Sequence, residues 1–242
     1  ITSHVDSPAG SGLGTSSTLV VSILGAFAEW LKLPLGEYDM ARLAYEIERI
    51  DLGMAGGKQD QYAATFGGFN YMQFLQDDKV IVNPLRIRQR YQEELAHNLL
   101  LYHTETSHVS AKIIEGQIKN VKANNTSSIE AMHRLKQQAV QMKEALLQGN
   151  IDSIGEILNF GWEQKKKTAS NISNPLLDDI YATAIKAGAT GGKVSGAGGG
   201  GFMFFYCPCT NRYNVEKALQ GKFAGQVKRY EFTQEGLRTW TL

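Results

Sequence analysis

The chain has 242 residues, 43% of them hydrophobic, enough for one large core or two modest ones, and two small domains suit that length better than three. Lys+Arg 25 against Asp+Glu 24 leaves a formal charge of +1, which lacks the basic excess that neutralises a nucleic-acid backbone and argues against a nucleic-acid partner. Cys207 and Cys209 make neither a disulfide framework nor a zinc cluster, no apolar run reaches the roughly 18 residues that span a bilayer, and the start has no signal-peptide pattern, so a soluble, cytoplasmic protein with no membrane partner is expected.

Along the chain, Ile1 to Val5 reads as a short strand. A glycine-rich run then feeds Thr18 to Leu31, which is apolar nearly all round and reads as a buried helix. Pro34 and Gly36 break it. Met40, Leu43, Ile47 and Ile50 recur at helical spacing, so a second helix is expected over Tyr38 to Ile50, followed by a loop from Gly53 to Gln59. Phe66 to Phe74 and Lys79 to Asn83 are β-prone runs flanking Gln76-Asp77-Asp78, the pattern of a hairpin. A first domain ending near Arg86 divides the chain into 1–86 and 87–242. In the second part Leu99 to Tyr102 reads as a strand, and helices are expected over Ser110 to Val121, Ser127 to Leu147 and Asp152 to Lys166. Asn174 is an N-cap with Pro175 at the first helical position, and Gly188 closes that helix. A second glycine loop precedes an apolar strand, Phe202 to Tyr206, then a helix near Tyr213 to Leu219 and a last strand, Val227 to Phe232. Strands and helices interleave, so the class is α+β. Because a glycine-rich site begins within ten residues of Ile1, which is not Met, sequence is expected to precede it.

Gly10, Ser11, Gly12, Leu13, Gly14, Thr15, Ser16 and Ser17 place three glycines and four hydroxyls just ahead of a helix. Glycine permits close backbone approach, and the free N–H groups and dipole at a helix start favour an anion, so this is a phosphate-loop candidate rather than a plain turn. No lysine follows the last glycine, which excludes a Walker loop, and Thr15 breaks the G-x-G-x-x-G dinucleotide fingerprint. Two carboxylates in the next helix suit Mg²⁺. Glu46 has Arg42 four residues before it and Arg49 three after, the pattern of an exposed ion-paired face, whereas Glu48 has small residues, Ala41 and Ala44, behind it and is preferred. Asp60, on a glycine-hinged loop, suits a general base as well as an Asx-turn or helix cap. Lys58 reads equally as a snorkelling surface lysine and as a cation that lowers the pKa of Asp60 and meets an anionic substrate. In Gly191 to Gly201, four consecutive glycines before an apolar strand imply close approach to a ligand or to the other glycine loop.

The run Pro8-x-x-x-Gly12-Leu13-Gly14-Thr15-Ser16-Ser17 resembles the nucleotide-phosphate loop of the GHMP kinases, named for galacto-, homoserine, mevalonate and phosphomevalonate kinases, with threonine at 15 where serine is usual. Glu48-Arg49, the glycine-containing loop with Asp60, and Gly191 to Gly201 follow in the family's order. The resemblance implies an N-terminal half like the second domain of ribosomal small-subunit protein five, incomplete at its start, and a ferredoxin-like C-terminal half. It implies that ATP phosphates lie on residues 10–17, that Ser16 and Glu48 bind Mg²⁺, and that Asp60 acts on the acceptor hydroxyl. Lys58, Gln59, Lys193, Ser195, Gly196, Ala197, Gly198 and Gly199 would stand near substrate or phosphate, and an anionic acceptor group has Lys58, Lys193 and Lys165 to Lys167 as candidates, the last run being ordinarily a solvated helix end.

Within the family, Gly57-Lys-Gln-Asp-Gln-Tyr-Ala-Ala-Thr-Phe-Gly-Gly-Phe-Asn70 and Ile172-Ser-Asn174 with Gly191-Gly-Lys193 are similar to the D-glycero-D-manno-heptose 7-phosphate kinases, which phosphorylate C1 of the sugar phosphate on the way to nucleotide-activated heptose. The chain departs from that pattern in lacking the family's opening glycine-rich segment and in Thr104-Glu-Thr-Ser-His108, where relatives have glycine and arginine. A fucokinase-like enzyme acting on a neutral sugar and a non-catalytic nucleotide-binding protein are the competing readings. The residues leave the oligomeric state open, a homodimer included.

Overall fold

A computed structural model describes residues 2–8, 10–106 and 110–241. Ile1 and His108, read above at a strand start and a helix start, lie outside these residues. The chain forms two compact units, one of Ile1–Ala9, Gly14–Leu85 and Phe232–Leu242, the other of Gly10–Leu13 and Arg86–Glu231. Two short segments, residues 10–13 and 232–242, thus cross the division expected near Arg86.

The first unit contains helices α1 (Thr15–Trp30), α2 (Glu37–Glu46) and α3 (Gln59–Phe66) and a hairpin of β1 (Asn70–Phe74) and β2 (Val80–Pro84). The hairpin is antiparallel, Asn70 opposite Pro84 and Phe74 opposite Val80, as the turn residues predict, but its first strand is shorter than the run from Phe66, because Phe66 ends α3 and Gly67 and Gly68 turn the chain at positive φ. Residues 2–5 form no strand. Nor is α1 buried all round: Val21, Gly25 and Ala28 pack inward, while Phe27, Trp30 and Leu31 are exposed. Val21 and Ala28 form one apolar cluster with Met40 and Ala44, and Ala41 forms another with Tyr62 and Val82. The end of the chain adds to this unit. Leu237 donates its N–H to Thr65 O at 3.0 Å, and its side chain lies over Gly25, where a Cβ would stand 2.6 Å from Leu237 Cδ1.

The α2 pattern does not continue to Ile50 as a regular helix. Ile47–Asp51 is a π-helical turn, in which Leu52 N–H bonds to Ile47 O at 3.0 Å. The wider turn rotates the side chains off the α-helical stripe, so that Ile50 is exposed and Glu48 is fully buried. The helix α3, implied in the sequence reading only by the alternative of Asp60 as a helix cap, starts at Gln59 with Lys58 in the cap position, so Asp60 lies within its first turn.

The second unit contains α4 (Gln89–Asn98), β3 (Leu99–His103), α5 (Ser110–Lys122), α6 (Thr126–Gln148), α7 (Ile154–Lys166), α8 (Pro175–Lys186), β4 (Gly191–Val194), β5 (Phe202–Tyr206), α9 (Asn211–Lys222) and β6 (Gln226–Lys228). Its four strands form an antiparallel sheet in the order β4-β5-β3-β6. With helices α5–α8 between the first and second strands and α9 between the third and fourth, this is the ferredoxin-like arrangement. Leu100 lies opposite Phe205 and Tyr102 opposite Met203, and these four join Trp162, Leu177, Ile180 and Leu219 in the main core. Asn174 caps α8 as expected, its side chain accepting from Leu177 N–H at 3.0 Å. The last strand is shorter than the pattern from Val227 to Phe232 predicts, because pairing with β3 stops at Lys228. Among the described residues, no helix is long and apolar enough to cross a membrane.

The edge strand β4, also missed by sequence reading, is held against α7 by glycine contacts. A Cβ on Gly191 would overlap the carbonyl oxygen of Gly155. Gly191→Ala is therefore expected to cost about 1–3 kcal/mol in urea unfolding, as overpacking does. Gly221→Ala, in α9 with open space around it, is the control and is expected to stabilise by up to about 1 kcal/mol.

Candidate active site

In the first unit the chain brings Ser16, Ser17, Glu48, Asp60 and Gln61 together. Gly14 makes the turn into α1 with φ 72°, a conformation that side chains resist, and the carbonyl of Gly14 accepts from Thr18 N–H at 2.9 Å. A Cβ on Gly14 would lie 3.4 Å from both Cβ and Cγ of Asp60, so the end of the phosphate-loop candidate and the candidate base are in contact.

Glu48 is 0% exposed. Ser16 Oγ donates to its Oε1 at 2.7 Å and Gln61 Nε2 to its Oε2 at 2.5 Å. Burial alone would raise its pKa, but hydrogen bonds from Ser17, Ser16 and Gln61 and the positive charge of Arg49 hold it below the usual carboxylate value. The site thus maintains a buried carboxylate anion beside a hydroxyl. A carboxylate and a hydroxyl within 2.7 Å of each other are oxygen donors of the kind a hard cation such as Mg²⁺ takes. Glu46 behaves as expected of an ion-paired face, accepting from Arg42 Nη1 at 3.2 Å. The reason given for preferring Glu48 needs correction, since Ala41 and Ala44 are packed into the apolar clusters and leave no room for a ligand. The π turn, not small neighbours, turns Glu48 inward.

Asp60 is open to solvent on one side, in the first turn of α3. Burial of its inner side raises its pKa, Arg49 opposes the rise and the negative charge of Glu48 adds to it. Lys58 makes no contribution there. It pairs with Asp78 at 2.5 Å and stands 4.9 Å from the centre of the Tyr45 ring, which leaves the reading of Lys58 as the cation beside Asp60 without support. Gln59 is exposed at the start of α3.

Sequence reading missed two members of this cluster. Arg49 was quoted with Glu48 in the resemblance but given no role beyond pairing with Glu46, yet it lies 4.0 Å from Glu48, donates from Nε to Gly57 O at 3.3 Å and packs against Gly56 so closely that any side chain there would overlap the guanidinium. Gln61 is fully buried, donates to both Glu48 and Ser17, and has an Oε1 without a partner. An uncharged residue beside a catalytic candidate carries no signal of its own, whereas Arg49, adjacent to Glu48, could have been weighed as its partner.

The second unit joins the other part of the first glycine loop to the later one. Ser11 is buried and its carbonyl accepts from Phe202 N–H at 3.0 Å, while Ser195 Oγ donates to Gly12 O at 2.9 Å. Gly12 and Gly196 meet back to back: a Cβ on Gly196 would be 2.8 Å from Gly12 O, and one on Gly12 would be 2.9 Å from Ser195 O. Of the two explanations for the glycines at 196–201, close approach to the other loop is the one seen. Thr104 N–H and Thr106 O both bond to Gly201, and Asn174 Nδ2 donates to Gly199 O at 3.2 Å, so the Thr104–Thr106 segment and the α8 cap brace the loop. Gly198 and Ala197 lie within it, with Gly199 N–H bonding to Ile172 O at 2.8 Å. Lys165 donates to Gly196 O, Lys193 Nζ lies 5.7 Å from the centre of the Phe204 ring, Lys166 pairs with Glu163 and Lys167 is exposed.

Residues 1–68 match the GHMP kinases N terminal domain and residues 142–225 the GHMP kinases C terminal domain. The chain belongs to the GHMP kinases, ATP-dependent phosphotransferases with an alcohol group as acceptor. Among particular relatives, it is 52% identical over 239 residues to the D-glycero-alpha-D-manno-heptose 7-phosphate kinase of Campylobacter jejuni, covering 99% of this chain and 70% of that one. It is 30% identical over 201 residues to the L-fucokinase/L-fucose-1-P guanylyltransferase of Bacteroides fragilis, covering 81% of this chain and 21% of that one. A crystal structure described as a D-glycero-D-manno-heptose 1-phosphate kinase from Bacteroides thetaiotaomicron superimposes with a TM-score of 0.78 at 45% identity, covering 98% of this chain and 67% of that one.

The charges around Asp60 give a direct test. Arg49→Gln removes the cation that opposes the rise in its pKa, so the Asp60 carboxyl, followed by NMR titration, is expected to protonate at higher pH than in the unsubstituted protein. An unchanged titration would show that Arg49 does not act on it.

Proposed function

We propose that this kinase phosphorylates the anomeric hydroxyl of D-glycero-D-manno-heptose 7-phosphate, using ATP and Mg²⁺ in the cytoplasm. The observation that carries this reading is 52% identity to a heptose 7-phosphate kinase across 99% of the chain. The other heptose kinase relative is named for a 1-phosphate; both names agree on a heptose phosphate as acceptor, and the higher identity favours the phosphate at C7 with C1 free to react.

In this reading residues 10–17 hold the ATP phosphates through backbone N–H groups and the hydroxyls of Thr15, Ser16 and Ser17. Ser16 and Glu48 bind Mg²⁺, which when bound neutralises charge on the phosphates. Gln61 and Arg49 keep Glu48 ionised and oriented. Asp60 accepts the proton of the sugar hydroxyl as that oxygen forms its bond to the γ-phosphorus and the bond from phosphorus to the bridging oxygen breaks, releasing ADP. Its raised pKa makes it a stronger base than an ordinary aspartate. Residues 195–199 and Lys193 line the acceptor side, and residues 1–86 and 87–242 act as the ATP-binding and C-terminal domains. Gln59 neighbours Asp60 in sequence and would approach the acceptor with it.

The test is Mg-ATP-dependent ADP release by the full-length protein with heptose 7-phosphate, unphosphorylated heptose, fucose, galactose and mevalonate. Selective turnover of the heptose phosphate is expected, with Asp60→Asn lowering kcat by about 10²–10⁴-fold. Preferential turnover of fucose would instead support the fucokinase-like reading, and ATP binding without turnover of any acceptor a binding protein. Glu48→Gln is expected to raise the Mg²⁺ concentration needed for half-maximal rate while the KM for the acceptor stays within about twofold, since it removes an anionic ligand oxygen.

A further inference from the structure

Lys165 opens the basic run 165–167 and, unlike Lys167, is not exposed. It falls three, four and seven residues after Trp162, Gly161 and Leu158, all buried, so α7 carries it on its inward face. Its ammonium reaches the carbonyl of Gly196 in the glycine loop. Lys193 lies on the edge strand β4, two residues after Gly191, whose backbone packs against Gly155 of the same helix α7, and its charge bears on Lys165. Neither residue is fully enclosed, so both remain open to an approach from solvent.

Two cations in this position repel each other, and among the described residues neither has an ion pair. Burial and the charge of Lys193 lower the pKa of Lys165 to about 7, and burial lowers that of Lys193. A carbonyl and an aromatic face are weak compensation for two partly buried ammonium groups. What neutralises such a pair is an anion of charge near −2 with several acceptor oxygens, and a phosphate monoester has both. Lys58, the other candidate, is already paired with Asp78.

We infer that Lys165 and Lys193, beside the Ser195–Gly201 loop, form a subsite for a phosphate monoester, and that the group it takes is the phosphate the acceptor sugar already carries. This rests on the heptose-phosphate reading above. The pair would then discriminate a phosphorylated acceptor from a neutral one.

The experiment compares the full-length protein with Lys165→Met, Lys193→Met and Lys165→Arg, measuring KM for heptose 7-phosphate, for unphosphorylated heptose and for ATP, with thermal unfolding to confirm folding. Each methionine variant is expected to raise the KM for heptose 7-phosphate at least tenfold, to collapse the preference for it over unphosphorylated heptose, and to change the KM for ATP less than twofold. Lys165→Arg should retain most of the preference. A rise in the KM for ATP with no change for the sugar phosphate would overturn the proposal in favour of the nucleotide's phosphates, and equal losses for both substrates would reduce the pair to a brace of the glycine loop. A loss of folding in Lys165→Met with no effect in the folded Lys193→Met would also overturn it. If the unsubstituted protein itself shows no preference for the phosphorylated sugar, the functional reading fails first, independently of the lysines.

Discussion

An ionised carboxylate with no access to water organises the first unit. Removing Glu48 from solvent is expensive unless its oxygens are met by donors or cations, and the chain supplies them from three separate places. Ser16 and Ser17 come from the start of α1, Arg49 from the same π turn, and Gln61 from the first turn of α3. Each donor also fixes the element that carries it. The hydroxyls of the loop, the end of α2 and the beginning of α3 are thus tied to one another through a single side chain, and Asp60 is positioned as a by-product, one residue before Gln61 and against Gly14.

The same arrangement sets the two carboxylates apart chemically. Glu48 is held ionised by hydrogen bonds and by Arg49, and Asp60, lacking such bonds and lying near the Glu48 charge, is pushed the other way. Neighbouring carboxyls whose environments drive their pKa values in opposite directions are suited to different tasks. Glu48 stays an anion, and Asp60 has the greater affinity for a proton, which are the properties the proposed roles of cation ligand and base call for. Arg49 acts on both, lowering each, so it sets the common level from which they diverge.

Much of the second unit was legible because its elements announce themselves locally. Phe202 to Tyr206 is an uninterrupted apolar run between punctuating residues and is a strand with those bounds; Asn174-Pro175 opens its helix as the cap rule requires. The hairpin of β1 and β2 was equally plain. The failures have physical causes. Strand β4 is mostly glycine and valine with one lysine, and glycine is a poor strand former in isolation; here it is selected by the closeness of α7. The helix α3 begins with polar residues after a glycine loop, and its buried members are Gln61, Tyr62 and Thr65, so it has no apolar stripe to read. The π turn breaks the period that identified α2, and with it the inference about which of Glu46 and Glu48 faces inward. Glu48, preferred as the Mg²⁺ ligand, is the buried one of the two, but the alanines invoked for that preference belong to the core.

The charge balance of the chain, +1 overall, conceals two local imbalances of opposite sign. In the first unit Glu48 and Asp60 share one nearby cation, Arg49. In the second, Lys165 and Lys193 have no anion among the described residues. Neither imbalance is useful to folding, since uncompensated charge in a poorly solvated setting destabilises the compact state. Within each unit such a charge is already oriented for an opposing one, so little reorganisation would be needed when a ligand of the proposed reaction binds. Composition could never reveal this. Net charge averages over surface pairs such as Arg42 with Glu46 and Lys166 with Glu163, which cancel and contribute little. The side chains that do not cancel differ in exposure, Glu48 being withdrawn from water, Lys165 and Lys193 partly so and Asp60 open to it.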